Sequence, residues 1–134
     1  DFALPIAGYS VPHKFLRGQW KLRTGYAIWP KGRIVALEAP ELGEFTTVRI
    51  MPPGMKLRIN SVAKRGGGIK VEVVKMDWSV VPGRSFADCD PIIGDQFNKP
   101  VTWKGQDSLG TDNREPVALR FKIDRAAIYG LEFE

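Results

Sequence analysis

Hydrophobic and polar positions alternate with a period of two through most of this chain, and that spacing predicts β-strands. Over Lys56–Val62, Leu57 and Ile59 fall on one face while Lys56, Arg58 and Asn60 fall on the other. Over Ile69–Met76, Ile69, Val71 and Val73 oppose Lys70 and Glu72. The Gly-rich segment Ala63–Gly68 between them reads as a hairpin connection. Val117–Ile123 is the clearest strand: Val117, Leu119, Phe121 and Ile123 point one way, Ala118, Arg120 and Lys122 the other. Asp124-Arg125 reads as a turn, after which Ala127, Tyr129, Leu131 and Phe133 alternate again. Arg33–Ala39 and Glu44–Ile50 form a further candidate pair joined by Pro40–Gly43. Shorter strands are expected at Trp20–Arg23, Ala27–Trp29 and Val101–Lys104.

This pattern predicts about eight to ten short strands, each with one wet face. Parallel sheets are apolar on both faces and need helical crossovers, and the chain shows neither. The expected fold is therefore all-β: an antiparallel β-sandwich of jelly-roll type, with a closed β-barrel as the alternative. Residues 17–134 are assigned to the sandwich and residues 1–16 to a linker or N-terminal arm. The turn-rich stretch Pro82–Pro100 is long for a loop without structure, which marks it as a place for function or a bound ion.

Composition sharpens this in three places. Fourteen Gly and ten Pro in 134 residues supply the corners that many short strands need. The net charge of +5 makes an anionic partner reasonable, but no basic run, zinc-finger spacing or ribonucleoprotein signature points to nucleic acid. The densest basic stretch, Lys14, Arg17, Lys21 and Arg23, is interleaved with apolar residues. No apolar run is long enough to span a membrane, and the start of the chain lacks a signal-peptide pattern. The first residue is Asp1 rather than Met, which reads as a processed product or a fragment.

Candidate chemistry is sparse. Cys89 is the only cysteine, so no intrachain disulfide can form, and a nucleophilic role would need His13, the only histidine. A small buried thiol is the simpler expectation for Cys89. Gly66-Gly67-Gly68 lacks the Lys-Ser/Thr and helix of a phosphate loop, and no nucleophile elbow occurs. Asp88, Asp90 and Asp95 lie close enough together to chelate Ca²⁺, though equally they suit turn-forming and capping roles. Four tryptophans offer flat faces on which the C–H faces of sugars can stack. Trp103 sits in a strand and is expected in the core, while Trp20 begins a strand and is ambiguous. Trp29 and Trp78 adjoin turn signals, Pro30-Lys31-Gly32 and Val81-Pro82-Gly83, and are the exposed candidates. The proposed sugar-binding set is Arg23, Tyr26, Trp29, Lys31, Trp78 and Arg84, with the cations pairing hydroxyls or acidic groups.

Several stretches in order carry a family likeness: residues 25–33 (GYAIWPKGR), 43–47 (GEFTT), 57–60 (LRIN), 69–73 (IKVEV), 88–95 (DCDPIIGD), 101–105 (VTWKG), 117–121 (VALRF) and 127–133 (AIYGLEF). Over residues 17–134 the chain resembles the C-terminal β-sandwich domains of bacterial glycoside hydrolase family 32-like and related β-propeller glycosidases. The resemblance implies an accessory domain without catalysis of its own, since the catalytic carboxylates of such enzymes belong to the propeller. It implies an extracellular or periplasmic module; a monomer is expected. Such a module either binds polysaccharide, with an acidic one favoured by the basic charge, or packs against the catalytic domain without binding sugar.

Overall fold

The computed structural model describes residues 1–12, 18, 21–112 and 114–134. The described residues contain no helix. They form two antiparallel sheets, neither closed into a barrel, and the fold is of the all-β sandwich class. Two compact units divide between Ile34 and Val35.

The first unit is a two-stranded sheet of β1 (Phe2–Tyr9) and β2 (Leu22–Trp29), paired without a register shift from Phe2↔Trp29 to Tyr9↔Leu22. The first residues, assigned above to a linker or N-terminal arm, thus include a strand. The proline and glycine that suggest irregularity, Pro5 and Gly8, sit within a regular strand because its partner β2 fixes the register. Trp20, assigned above to a short strand, lies outside the described residues, as does His13.

The second unit contains β3 (Leu37–Thr46), β4 (Leu57–Val74), β5 (Asp95–Pro100) and β6 (Ala118–Phe133), in the spatial order β3-β6-β4-β5. β4 and β6 are long, at 18 and 16 residues, and each passes through a segment that the sequence reads as a turn. Ala63–Gly68 is therefore no hairpin. The pairing of β4 with β6 resumes beyond it, from Ala63↔Ala126 to Gly68↔Asp124. Pro40–Gly43 behaves likewise: the register of β3 against β6 jumps between Ala39↔Ala126 and Leu42↔Asp124. Both interruptions flank Arg125, so they form one bend line across three strands. Two turn signals facing each other across a ladder have become matched bulges, which bend a sheet without ending it.

The bend depends on close backbone approach. A Cβ at Gly67 would collide with the carbonyl oxygen of Asp124, and Gly66 adopts φ +78°. Opposite them, Arg125 also has positive φ, at +46°. Its guanidinium donates to the Gly66 carbonyl at 2.6 Å and to the Asp124 carboxylate at 2.8 and 3.1 Å. The extra residue reverses the faces beyond it. Ala126 and Ile128 are buried, whereas the simple alternation pointed to Ala127 and Tyr129.

One face of this sheet carries the core. Ile69, Val71 and Val73 of β4 lie opposite Ile123, Phe121 and Leu119 of β6, and all six are buried. Phe45 of β3 stacks on Phe121 with ring centroids 4.6 Å apart. The connection from β4 to β6 closes over this face with Val81, Ile92, Val101, Trp103 and Leu109. Each such large side chain contributes about 1.5–3 kcal/mol on burial. A Gly67→Ala variant is expected to lose about 1–3 kcal/mol, because backbone on the facing strand must move. Urea unfolding of the two proteins side by side measures that loss.

Candidate functional site

In the first unit, Arg23, Tyr26 and Trp29 all lie on β2, and Lys31 lies in the turn after it. That turn forms as its residues predict, with Arg33 N–H donating to Pro30 O at 3.1 Å and Gly32 at φ +74°. Strand alternation then separates the set: Arg23 and Trp29 project from one face of the hairpin and Tyr26 from the other. Tyr26 is 72% exposed, while Trp29 is half-buried. Tyr26 and Trp29 thus form no shared platform.

In the second unit, Trp78 stands at the tip of a tight turn between Val74 and Val80, which bridge each other. The turn is laced by Lys75 N–H to Ser79 O at 2.9 Å and Trp78 N–H to Lys75 O at 3.0 Å. Asp77 accepts from the Ser79 amide at 3.0 Å and from its hydroxyl at 2.6 Å, and the hydroxyl bond above all holds its carboxyl below the usual carboxylate value. Trp78 itself has φ +66° and is 54% exposed. The Arg49 guanidinium lies 4.5 Å from its ring centroid and is anchored by a 2.7 Å bond to Met76 O. A bulky residue at positive φ is uncommon, since the position favours Gly or Asn. The turn therefore holds a large aromatic surface outward at a cost in backbone strain.

Arg84 has a different place from the one expected of a sugar ligand. It is buried and donates to Ser108 O at 2.5 Å, Gly83 O at 2.9 Å and Gln106 Oε1 at 3.1 Å. Its guanidinium also faces the ring of Trp103, 5.6 Å from the centroid. A buried cation needs such a shell, and here the shell ties the β4–β6 connection together. Trp103 is buried as expected, with its indole N–H donating to Val71 O at 2.9 Å.

The aspartates of residues 88–95 are engaged in turns. Asp88 accepts from the Ser85 hydroxyl at 2.6 Å and pairs with Lys104 at 2.5 Å, and Lys104 with Ser85 draws its carboxyl down to about 2. Asp90 accepts from the Thr102 hydroxyl at 2.6 Å and the Gly105 amide at 2.9 Å, which hold it below the usual range. Asp95 is exposed and starts β5. Among the described residues no three His, Cys, Asp or Glu side chains gather to hold a metal ion. Cys89 is buried, accepts from the Val71 amide at 3.2 Å, and burial pushes its thiol up, away from nucleophilic character.

One arrangement carries no simple sequence signal. Glu72, on the face of β4 away from the core, is 6% exposed. It pairs with Arg120 at 2.9 Å and accepts from the Phe86 amide at 3.3 Å. Phe86 in turn lies under Arg120 and Lys122, at 5.7 and 4.7 Å from its centroid. Only the Glu72↔Arg120 register, set by the bend, brings these groups together.

Asp88 yields a pH prediction. Its folded value of about 2 lies below the ordinary 3.8, so its contribution is full above 3.8 and disappears as pH falls through about 2. In Asp88→Asn, thermal unfolding followed across that window is expected to vary less with pH than in the parent.

Compared with known proteins, the chain matches no protein-family model, no curated protein and no solved structure.

Proposed function

We propose that this chain is an accessory β-sandwich domain, anchored to a larger β-rich body through the Phe2–Trp29 hairpin. This is the packing role that the likeness to glycosidase accessory domains implies. The observation behind it is that the hairpin is apolar and exposed on both faces. One face carries Phe2, Leu4, Ile6 and Trp29; the other carries Tyr9, Leu22, Tyr26 and Ile28. All but Trp29 are exposed large hydrophobics. A strand pair with two apolar faces suits the interior of a stack of layers. An isolated two-stranded hairpin is at best marginally stable in water. Pro5 suits β1 to an edge, whereas β2 has no proline and can accept a further strand.

Hydrogen exchange of the full chain tests this reading. Amides of residues 2–9 and 22–29 should exchange fast, and those of β4 and β6 slowly, because only the latter are buried under a core. Slow exchange throughout the hairpin would mean that it needs no outside layer, and the reading would fail.

A second reading, sugar binding, is favoured by Trp78 alone. Its strained, outward-held ring offers a surface for the apolar face of a sugar, with Lys75, Asp77 and Glu115 lining the adjacent hollow. Affinity electrophoresis against neutral and acidic polysaccharides should show retardation that disappears in Trp78→Ala. Equal migration of parent and variant in every gel would leave the anchoring role by itself.

A further inference from the structure

Charge is divided unevenly along the chain. The net +5 lies wholly in the first unit: residues 1–34 hold six Lys and Arg against one acid, and residues 35–134 hold fourteen against fourteen. The unit that carries Trp78 is therefore neutral. The basic character of the chain as a whole gives this ring no bias toward an acidic ligand.

The surroundings of the ring carry the opposite bias. Arg49 lies over one face of Trp78, 4.5 Å from the centroid, and donates to Met76 O at 2.7 Å. A sugar can therefore stack only on the other face. The adjacent hollow, of about 450 Å³, is lined by Lys75, Met76, Asp77, Glu115 and Pro116. It thus holds two carboxylates and one ammonium. Both bonds from Ser79 fall on Asp77 Oδ1, which leaves Oδ2 able to accept another. Among the described residues neither Lys75 nor Glu115 has an ion pair.

A hydroxyl donates one hydrogen bond and accepts others, whereas an ionised carboxylate only accepts. Neighbouring hydroxyls of a pyranose can donate to Asp77 and Glu115 while accepting from Lys75. The charged group of a uronic acid has no proton to give those two carboxylates, and they repel it.

We propose, resting on the sugar-binding reading of Trp78, that this site selects a neutral pyranose over an acidic one. The C–H face of the sugar stacks on the side of the indole that Arg49 leaves uncovered. Its hydroxyls bond to Asp77 Oδ2, Glu115 and Lys75.

NMR titration of the full chain with three glycosides tests this. Methyl β-glucoside and methyl β-galactoside are the neutral probes, and methyl β-glucuronoside is the acid. The readouts are the Trp78 indole N–H and the amides of residues 75–79. At least one neutral glycoside should shift them saturably, with a Kd on the order of millimolar. The glucuronoside should bind about threefold more weakly or worse, the scale of one exposed like-charge contact. Glu115 is exposed, and Glu115→Gln should narrow that difference. Unchanged amides of β4 and β6 in the variant keep the comparison independent of folding. If the glucuronoside binds as tightly as the neutral glycosides, or if Glu115→Gln leaves the difference as it was, the proposal is overturned while sugar binding at Trp78 stands. If none of the three moves the indole signal at about 20 mM, well above a millimolar affinity, sugar binding at Trp78 fails and the proposal with it.

Discussion

The larger unit depends on one close approach: the backbone of Gly67 against the carbonyl of Asp124. Without it, β4 and β6 would run as a straight ribbon or part into hairpins. With it, both strands cross the bend and pair on each side, from Leu57↔Phe133 to Val74↔Ala118. Arg125 holds the approach together by donating to Gly66 O and Asp124 on opposite sides of the bend. A glycine is required there because any side chain would occupy the space that the facing backbone fills.

The bend also distributes chemistry over the surface. It changes which residues of β6 face the core, and it sets the register that lays Glu72 against Arg120 and Lys70 against Lys122. In the first pair Glu72 is buried and also accepts from the Phe86 amide, so it ties the connection to the sheet. The second pair has like charges beside a cleft. In a separate unit, β1 and β2 carry exposed apolar side chains such as Leu4 and Tyr26.

Legibility varied with the range of the interactions involved. The strands at 57–62, 69–74 and 118–123 were readable because alternation is a local property of a half-buried strand. Trp103 in the core and Gly32 in a turn followed from their immediate neighbours. The turn signals at 40–43, 63–68 and 124–125 were seen, but their outcome was not: a bulge and a hairpin share the same residues and differ only in what lies opposite. The candidate sugar set was dispersed for a similar reason. Side-chain type placed Arg84 with the ligands, yet its three acceptors come from Gly83, Gln106 and Ser108 and hold it inside. Asp88 and Asp90 accept hydrogen bonds from turn residues, but Lys104 and Thr102 have no visible link to them in the chain.

By itself the sequence determined the all-β class, the core faces of the central strands and the single buried thiol, because period-two burial and small-residue corners are written into neighbouring positions. Tertiary structure alone decided that two predicted hairpin corners are matched bends, that Arg84 is buried, and that two lysines share one cleft. Each of those outcomes rests on a contact between segments far apart in the chain, whose energy no local pattern contains.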